Sequence, residues 1–446
     1  MPLHFPLSDD QRFPAIGEAG RAQLRALREH PRAPRWNLAC GDRLRPEHHD
    51  ALADYAESLR TGQASETREA FAERVQREVP FYRERARPGA SFEEIPTFKR
   101  AELARAPWAF VPDGQALDDL LVYPTSGTTG PAFEVYSHPV AANAYLPFMQ
   151  AALARVGVVV EGGPGRVSLA CVHHQRGTYT YPSLMSWLGG AAFVKVNLHP
   201  DQWNDPADIV PFLEELAPEV WTGDPFAFAK LAELNLSTRP KALISSATAL
   251  SPGMRRALES AFACPVLDFY SLTEARLVAV DLGRGHELIA PHWHVEILRS
   301  DTDQPVGPGE RGEVVLSGGG NPLLPLLRYR TGDFARSEPG RLLELEGRGP
   351  VCLLDAAGEV VNTIDVSRAL APFALPRFQL HQSARGELTL RADVGDPTSL
   401  KLALEPLFSR PIRFEPLGAP PGEKVLQYAS ELPWPGPLAA TLGAGG

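Results

Sequence analysis

Residues Thr125-Ser126-Gly127-Thr128-Thr129-Gly130 carry two glycines, four hydroxyls and almost no side-chain bulk. The stretch follows an apolar run, Leu120-Leu121-Val122-Tyr123, and precedes a second, Phe133-Glu134-Val135-Tyr136, each with the residue types of a short strand. A loop of this composition can fold its backbone N–H groups and hydroxyls around a phosphate without steric conflict. The same composition suits an ordinary surface loop. No Gly-Lys-Ser/Thr follows Gly130, so it is not a Walker loop. The rest of the chain decides between the two readings.

Downstream of this loop, short apolar runs alternate with helical patterns. Val167-Ser168-Leu169-Ala170, Phe193-Val194-Lys195-Val196 and Ala242-Leu243-Ile244 are strand candidates. Between them lie helices over 205–216, with Ile209, Phe212, Leu213 and Leu216 on one face, and over 252–262, with Met254, Leu258 and Phe262 four apart. Such alternation implies an α/β fold of parallel sheets covered by helices. Upstream, the first forty residues are rich in Pro and Arg without clear periodicity. Residues 46–61 and 65–86 read as helices, the second carrying Phe71, Val75, Val79 and Tyr82 at helical intervals. After about residue 278 the pattern turns to strands, His294-Val295-Glu296-Ile297-Leu298 and Gly312-Glu313-Val314-Val315-Leu316. The last hundred residues read as a small α+β unit. Gly347-Arg348-Gly349-Pro350 suits a hinge, which divides the chain into domains over 1–346 and 347–446.

The chain has 446 residues, 22% of them charged, and a net charge of −10. That charge argues against a duplex nucleic-acid binder, whose affinity rests on phosphate neutralisation. Cys40, Cys171, Cys264 and Cys352 stand far apart, which suits neither a disulfide framework nor a zinc knuckle and fits a reducing cytoplasm. No basic-then-apolar leader opens the sequence, and no apolar run is long enough for a membrane span. The expectation is a soluble cytoplasmic protein.

Two further motifs are candidates for chemistry. Asp268-Phe269-Tyr270-Ser271-Leu272-Thr273-Glu274 follows the apolar run Pro265-Val266-Leu267. An aromatic at a strand end can stack on adenine, a hydroxyl three residues on can reach an α-phosphate, and the next carboxylate can hold Mg²⁺. The same residues also read as a core tyrosine and a capped turn. The other is Leu327-Arg328-Tyr329-Arg330-Thr331-Gly332-Asp333, where Asp333 after a glycine turn can accept from two ribose hydroxyls. A Gly-Asp pair is as readily a plain turn, and Arg328 and Arg330 as readily solvated surface charges.

In this order the three motifs resemble the adenylate-forming superfamily, which includes acyl-CoA synthetases, nonribosomal adenylation domains and luciferase-like enzymes. Within it the chain is most similar to the phenylacetate–CoA ligase group. Val79-Pro80-Phe81-Tyr82-Arg83, Ile95-Pro96-Thr97-Phe98-Lys99, Gly309-Glu310-Arg311-Gly312-Glu313 and Pro325 through Asp333 carry that closer likeness, which runs from roughly 65 to 370. The resemblance implies a large N-terminal domain of parallel and mixed sheets with a distorted barrel-like part, and a small mobile C-terminal lid. It implies an ATP- and Mg²⁺-dependent ligase that activates a small, preferably aromatic, carboxylic acid as acyl-AMP and passes it to CoA. A phosphopantetheine carrier protein or an amine are the alternative acceptors, and a degenerate nucleotide-binding module is the rival reading. A homodimer is among its expectations; nucleic acid and membrane are not.

By the same resemblance, Thr125, Ser126, Gly127, Thr128, Thr129 and Gly130 hold the β- and γ-phosphates. Ser246, Ala247 and Thr248 lie under the adenine and Tyr270 over it, beside Phe269 and Ser271. Thr273 contacts the α-phosphate, Glu274 the magnesium, and Asp333 and Arg348 the ribose. Lys424 matches the mobile catalytic lysine. His174, Tyr179 and Ser271 are expected at the acyl pocket. The chain departs from the family where Pro131 and Ala132 replace a lysine after the loop, where Ser271 replaces a glycine, and at Gly349-Pro350-Val351 in the hinge. His292-Trp293-His294 and His48-His49 have no neighbouring Cys or carboxylate cluster in sequence, and a metal site there is disfavoured.

Overall fold

The computed structural model describes residues 7–85, 87, 89–124, 134–174, 178–247, 250–307, 309–346, 351, 353–361, 366, 369–370, 372–373, 375, 377–394, 396–418 and 425–432. Its centre is five parallel strands in the order Ala191–Asn197, Val167–His173, Val220–Gly223, Ala242–Ser245, Val266–Leu272. Three of the crossovers run through the helices Ile209–Leu216, Pro225–Glu233 and Pro252–Phe262. Two of them begin on a mechanism their sequence supplies. Asp224 and Ser251 cap the second and third with their side chains, and Pro225 and Pro252 fill the first helical turn, where a missing N–H costs nothing.

Burial on both faces explains why the strands read as near-continuous apolar runs. Ala242–Ser245 is buried at all four positions. One face packs on Phe212, Leu213, Phe228 and Leu258; the other packs on Phe148, Met149 and Leu153. The second group comes from helix Tyr145–Ala154.

Beyond Val266–Leu272 the sheet turns antiparallel and continues through Arg276–Asp281, His286–Glu287, Arg341–Glu346, Leu326–Glu338, Arg311–Gly318 and His294–Leu298. These strands were expected as a distorted barrel-like part. Among the described residues they extend the same path, and its terminal strands, His294–Leu298 and Tyr181–Met185, do not pair with each other.

A separate four-stranded sheet orders Ile412–Glu415, Leu388–Ala392, Phe378–Gln382 and Tyr428–Ser430. With helix Thr398–Phe408 it closes over its own core, including Leu380, Leu390, Leu404 and Phe408.

Two segments near the N-terminus position the strand that carries Asp333. Phe98–Lys99 pairs in parallel with Tyr329–Arg330. The buried Tyr82 hydroxyl donates to the Pro325 carbonyl at 3.1 Å and accepts from the Leu327 N–H at 3.0 Å. Pro80 ends the preceding helix at Glu78 and starts a short one, Pro80–Arg85, so the single helix expected over 65–86 is two. The first forty residues hold an unexpected helix, Glu18–Arg28, burying Leu24 and Leu27.

Candidate active site

Open α/β sheets bind ligands at the carboxyl ends of their parallel strands, and here the carboxyl ends of Ala242–Ser245 and Val266–Leu272 face one cavity of about 930 Å³. Ser246 and Ala247 line it from the first strand; Phe269, Ser271, Thr273 and Glu274 line it from the second. Ala247 is held at φ 70°, a left-handed conformation unusual for a residue with a Cβ. Thr273 is exposed to the cavity, whereas Glu274 is 2% exposed. Aromatic walls come from Tyr55, Tyr123, Tyr145 and Phe269, the last packed against Tyr145 and Phe148 at ring-centroid distances of 5.9 and 5.3 Å.

The second and third motifs meet directly. Side chains alternate along a strand, so Tyr270 points away from the face that presents Phe269 and Ser271. Its hydroxyl donates to Asp333 Oδ2 at 2.7 Å. Burial first, then the Asp333 charge, pushes the Tyr270 phenol well above its ordinary pKa, so it stays a donor. Four residues on, the Glu274 carboxylate accepts from the Tyr329 hydroxyl. Two segments 63 and 55 residues apart are thus stitched at two points.

Asp333 is aimed by its own turn. Gly332 adopts φ 76°, its N–H donates to Glu313 Oε1, and the Asp333 N–H donates to Thr331 Oγ1 at 3.0 Å. Arg328 and Arg330 are not solvated surface charges, as one reading of the sequence had them. They are 1% and 4% exposed. Arg328 makes a two-pronged pair with Glu296 at 3.1 and 3.0 Å and donates to the Glu93 and Ile95 carbonyls. Arg330 binds Glu313 at 2.6 Å, Asp303 at 2.9 Å and Thr97 Oγ1 at 2.8 Å. Both arginines lock the strand to the segment around Ile95–Thr97.

The phosphate loop Thr125, Ser126, Gly127, Thr128, Thr129 and Gly130, together with Thr248, Arg348 and Lys424, lies outside the described residues. Two strands flank the loop as expected, Leu121–Pro124 and Glu134–Ser137; they pair antiparallel, and Tyr123 lines the cavity. Tyr270, Asp333, His174 and Tyr179 are placed but are not among the cavity's lining residues. His174 lies beside the His199 ring at 5.7 Å, and Tyr179 is 61% exposed.

The sequence profile of the AMP-binding enzyme family matches residues 56–321, which is more than half of the chain. The chain belongs to the AMP-binding enzyme family. Two curated relatives are phenylacetate–coenzyme A ligases. That of Escherichia coli (strain K12) is 27% identical over 165 residues, covering 34% of this chain and 36% of the relative. That of Pseudomonas putida is 26% identical over 147 residues, covering 30% and 34%. The matched region therefore spans about a third of each relative's length. The fold is similar to a 2-hydroxyisobutyryl-CoA ligase in the postadenylation state in complex with 2-HIB-AMP. The TM-score is 0.60 at 18% identity, over 86% of this chain and 90% of that one. A second structure of that ligase in the same state gives 0.58 at 16% identity, over 89% and 96%.

Within this member of the family, wall residues that the sequence reading did not place at the site include Arg276, Tyr55 and His292. In sequence His292 is weighed only as a metal ligand, and neither charge nor periodicity marks the three as facing a cavity. The nearest thing to a metal centre among the described residues is His48, Asp119 and His138. Both imidazoles accept a backbone N–H at Nδ1, from Arg45 and Val140, each at 3.2 Å. That leaves the ring proton on Nε2, the nitrogen a metal would need. Arg45 already neutralises Asp119 at 2.7 Å. The trio's polar groups are thus satisfied by neighbours, His48 and Asp119 lying 3.7 Å apart and the two rings edge to face at 4.9 Å, which disfavours a metal there. No helix among the described residues is long and apolar enough to cross a membrane.

Proposed function

We propose that this chain is an ATP-dependent carboxylic acid ligase that forms an acyl-adenylate and transfers the acyl group to a thiol, with CoA as the preferred acceptor. The observation that carries the reading is the double tie of Tyr270 to Asp333 and Glu274 to Tyr329, of which Glu274 lines the cavity. It joins an adenine platform, a ribose acceptor and a carboxylate in the order a nucleotide presents its parts. The phenylacetate–CoA ligase relatives support CoA as acceptor. The walls of Tyr55, Tyr123, Tyr145 and Phe269 support a planar aromatic acid.

A carboxylate is a poor acyl donor because its leaving group would be oxide. Its oxygen attacks the α-phosphorus of ATP, the bond to the bridging oxygen breaks, and pyrophosphate departs with the electron pair. Both reactants are anionic, so the site must offset their repulsion and hold them in line. Thr273, on the cavity wall, would donate to the α-phosphate, and Asp333, tied to Tyr270, would accept from ribose hydroxyls. Glu274 fits a magnesium ion: a carboxylate on the cavity wall, whose hard oxygens match that metal beside phosphates. Bound there, the ion would supply charge neutralisation to the polyphosphate. The unit over 347–446 is read as a lid that carries Lys424 to the reacting carboxylate and withdraws it before thiol attack.

Acid-dependent exchange of labelled pyrophosphate into ATP tests the reading. Exchange with at least one aromatic acid is expected, and CoA should then yield a thioester detectable by mass. No exchange across a broad acid panel would favour the rival, a nucleotide-binding module without catalysis. Pro131 and Ala132, where the family resemblance implies a lysine, are the observation that favours this rival. A thioester formed only on a carrier protein would change the acceptor and leave adenylation standing.

A further inference from the structure

Arg276 opens the strand Arg276–Asp281 at φ 63°, opposite Leu272 in register, and lines the cavity. Its guanidinium carbon lies 4.3 Å from the centre of the Tyr123 ring. Among the described residues its Nε and Nη2 are buried and have no hydrogen-bond partner. Such a charge, withdrawn from water and left incompletely paired, is costly unless an anion completes it. Burial lowers its pKa, and the Tyr123 and Glu274 charges act the other way. Neither Nε nor Nη2 donates to Glu274, whose Oε1 takes the Tyr329 hydroxyl. Arg100, the other arginine of the wall, is itself engaged within the protein.

We infer that Arg276 is an oxyanion-binding residue of this cavity, and that the oxyanion is a phosphate of the bound nucleotide. The neighbours choose the phosphate. Tyr123, against which the guanidinium stacks, stands two residues before the Thr125–Gly130 loop, and Glu274 is the carboxylate assigned to the metal at the phosphates. A planar guanidinium suits this ligand because its fork can bind two phosphate oxygens at once. The carboxylate of the acid offers the same chemistry from a second source. The inference rests on the proposed nucleotide site and adds to it a cation that none of the three motifs contains.

The test is calorimetric titration of the full chain with ATP and with adenosine, for wild type, Arg276→Gln and Arg276→Lys. Arg276→Gln should weaken ATP by about tenfold or more, as expected for loss of a charge-assisted pair, and leave adenosine binding unchanged. Arg276→Lys, which keeps the charge without the fork, should fall between. Equal ATP affinity in wild type and Arg276→Gln would overturn the inference, as would a parallel loss of adenosine binding. In pyrophosphate exchange, a raised KM for the acid with an unchanged KM for ATP would move the oxyanion to the acid and overturn the phosphate assignment. Wild type binding neither ATP nor adenosine would instead remove the proposed function on which the inference stands.

Discussion

The Tyr270 hydroxyl and the Asp333 carboxylate, 63 residues apart, share a 2.7 Å hydrogen bond. The bond fixes the tilt of the Tyr270 ring and the rotamer of Asp333 together, so the proposed platform and ribose acceptor are set before any ligand arrives. Preorganisation of this kind lowers what binding must spend on ordering side chains.

Asp333→Ala therefore acts twice, removing a ribose acceptor and leaving a buried phenol without its partner. The KM for ATP in pyrophosphate exchange should rise by roughly tenfold or more, the scale of a lost hydrogen bond to a charged group. Tyr270→Phe, which keeps the ring, should raise it by only about two- to fivefold. The double substitution should cost less than the sum of the two, because the residues act as one unit. Additive effects would mean the bond is incidental to nucleotide binding.

Glu274→Gln keeps the shape and removes the charge. The magnesium concentration for half-maximal exchange should increase by about tenfold, as expected when a hard cation loses its one protein carboxylate. Tyr329→Phe, which removes only the donor that orients Glu274, should shift the same curve less. A magnesium titration of Glu274→Gln that overlays wild type would end the assignment.

Much of this site was legible before any coordinates. Turn glycines, hydroxyls and strand-end aromatics have fixed local uses, so the short motifs at Tyr270–Glu274 and Arg328–Asp333 could be read one by one. Their joining could not, because which strand neighbours which depends on packing of the whole sheet. The charges of Arg328 and Arg330 were equally ambiguous in sequence. Their burial depends on Glu296, Glu313, Asp303 and Thr97, contributed by four other segments. Arg276 was missed although it stands two residues after Glu274, because only packing brings its guanidinium against Tyr123 in the cavity wall. His174 and Tyr179 were expected at the acyl pocket by position along the chain. The cavity lining includes Tyr55, one residue before the matched region, and His292, far along within it. Local pattern reads local chemistry; it does not read distance.

The Arg330 network predicts a stability effect separable from catalysis. Arg330→Met would strand Glu313, 6% exposed, without its 2.6 Å partner. Breaking a buried pair on one side costs on the order of 3–5 kcal/mol. The urea midpoint followed by far-ultraviolet dichroism should drop clearly. Thr97→Ala, which removes one bond to Nε, should cost about 1 kcal/mol. An unchanged midpoint in Arg330→Met would mean the pair is replaceable by apolar packing.

His292 predicts how stability bends with acid. Burial in the cavity wall, with the Tyr55 ring 5.4 Å away, lowers its pKa from 6.5 to about 4. The folded state thus keeps the imidazole neutral where the unfolded chain, near 6.5, takes up a proton. With more protons bound in the unfolded state, stability falls as pH drops through 6.5 and levels off once the folded form also protonates near 4. In that window the loss approaches about 1.4 kcal/mol per pH unit for one such group. His292→Gln cannot titrate, so its urea midpoint should decline less steeply with pH than that of wild type. Parallel pH profiles for the two proteins would show that His292 is not a source of the acid sensitivity.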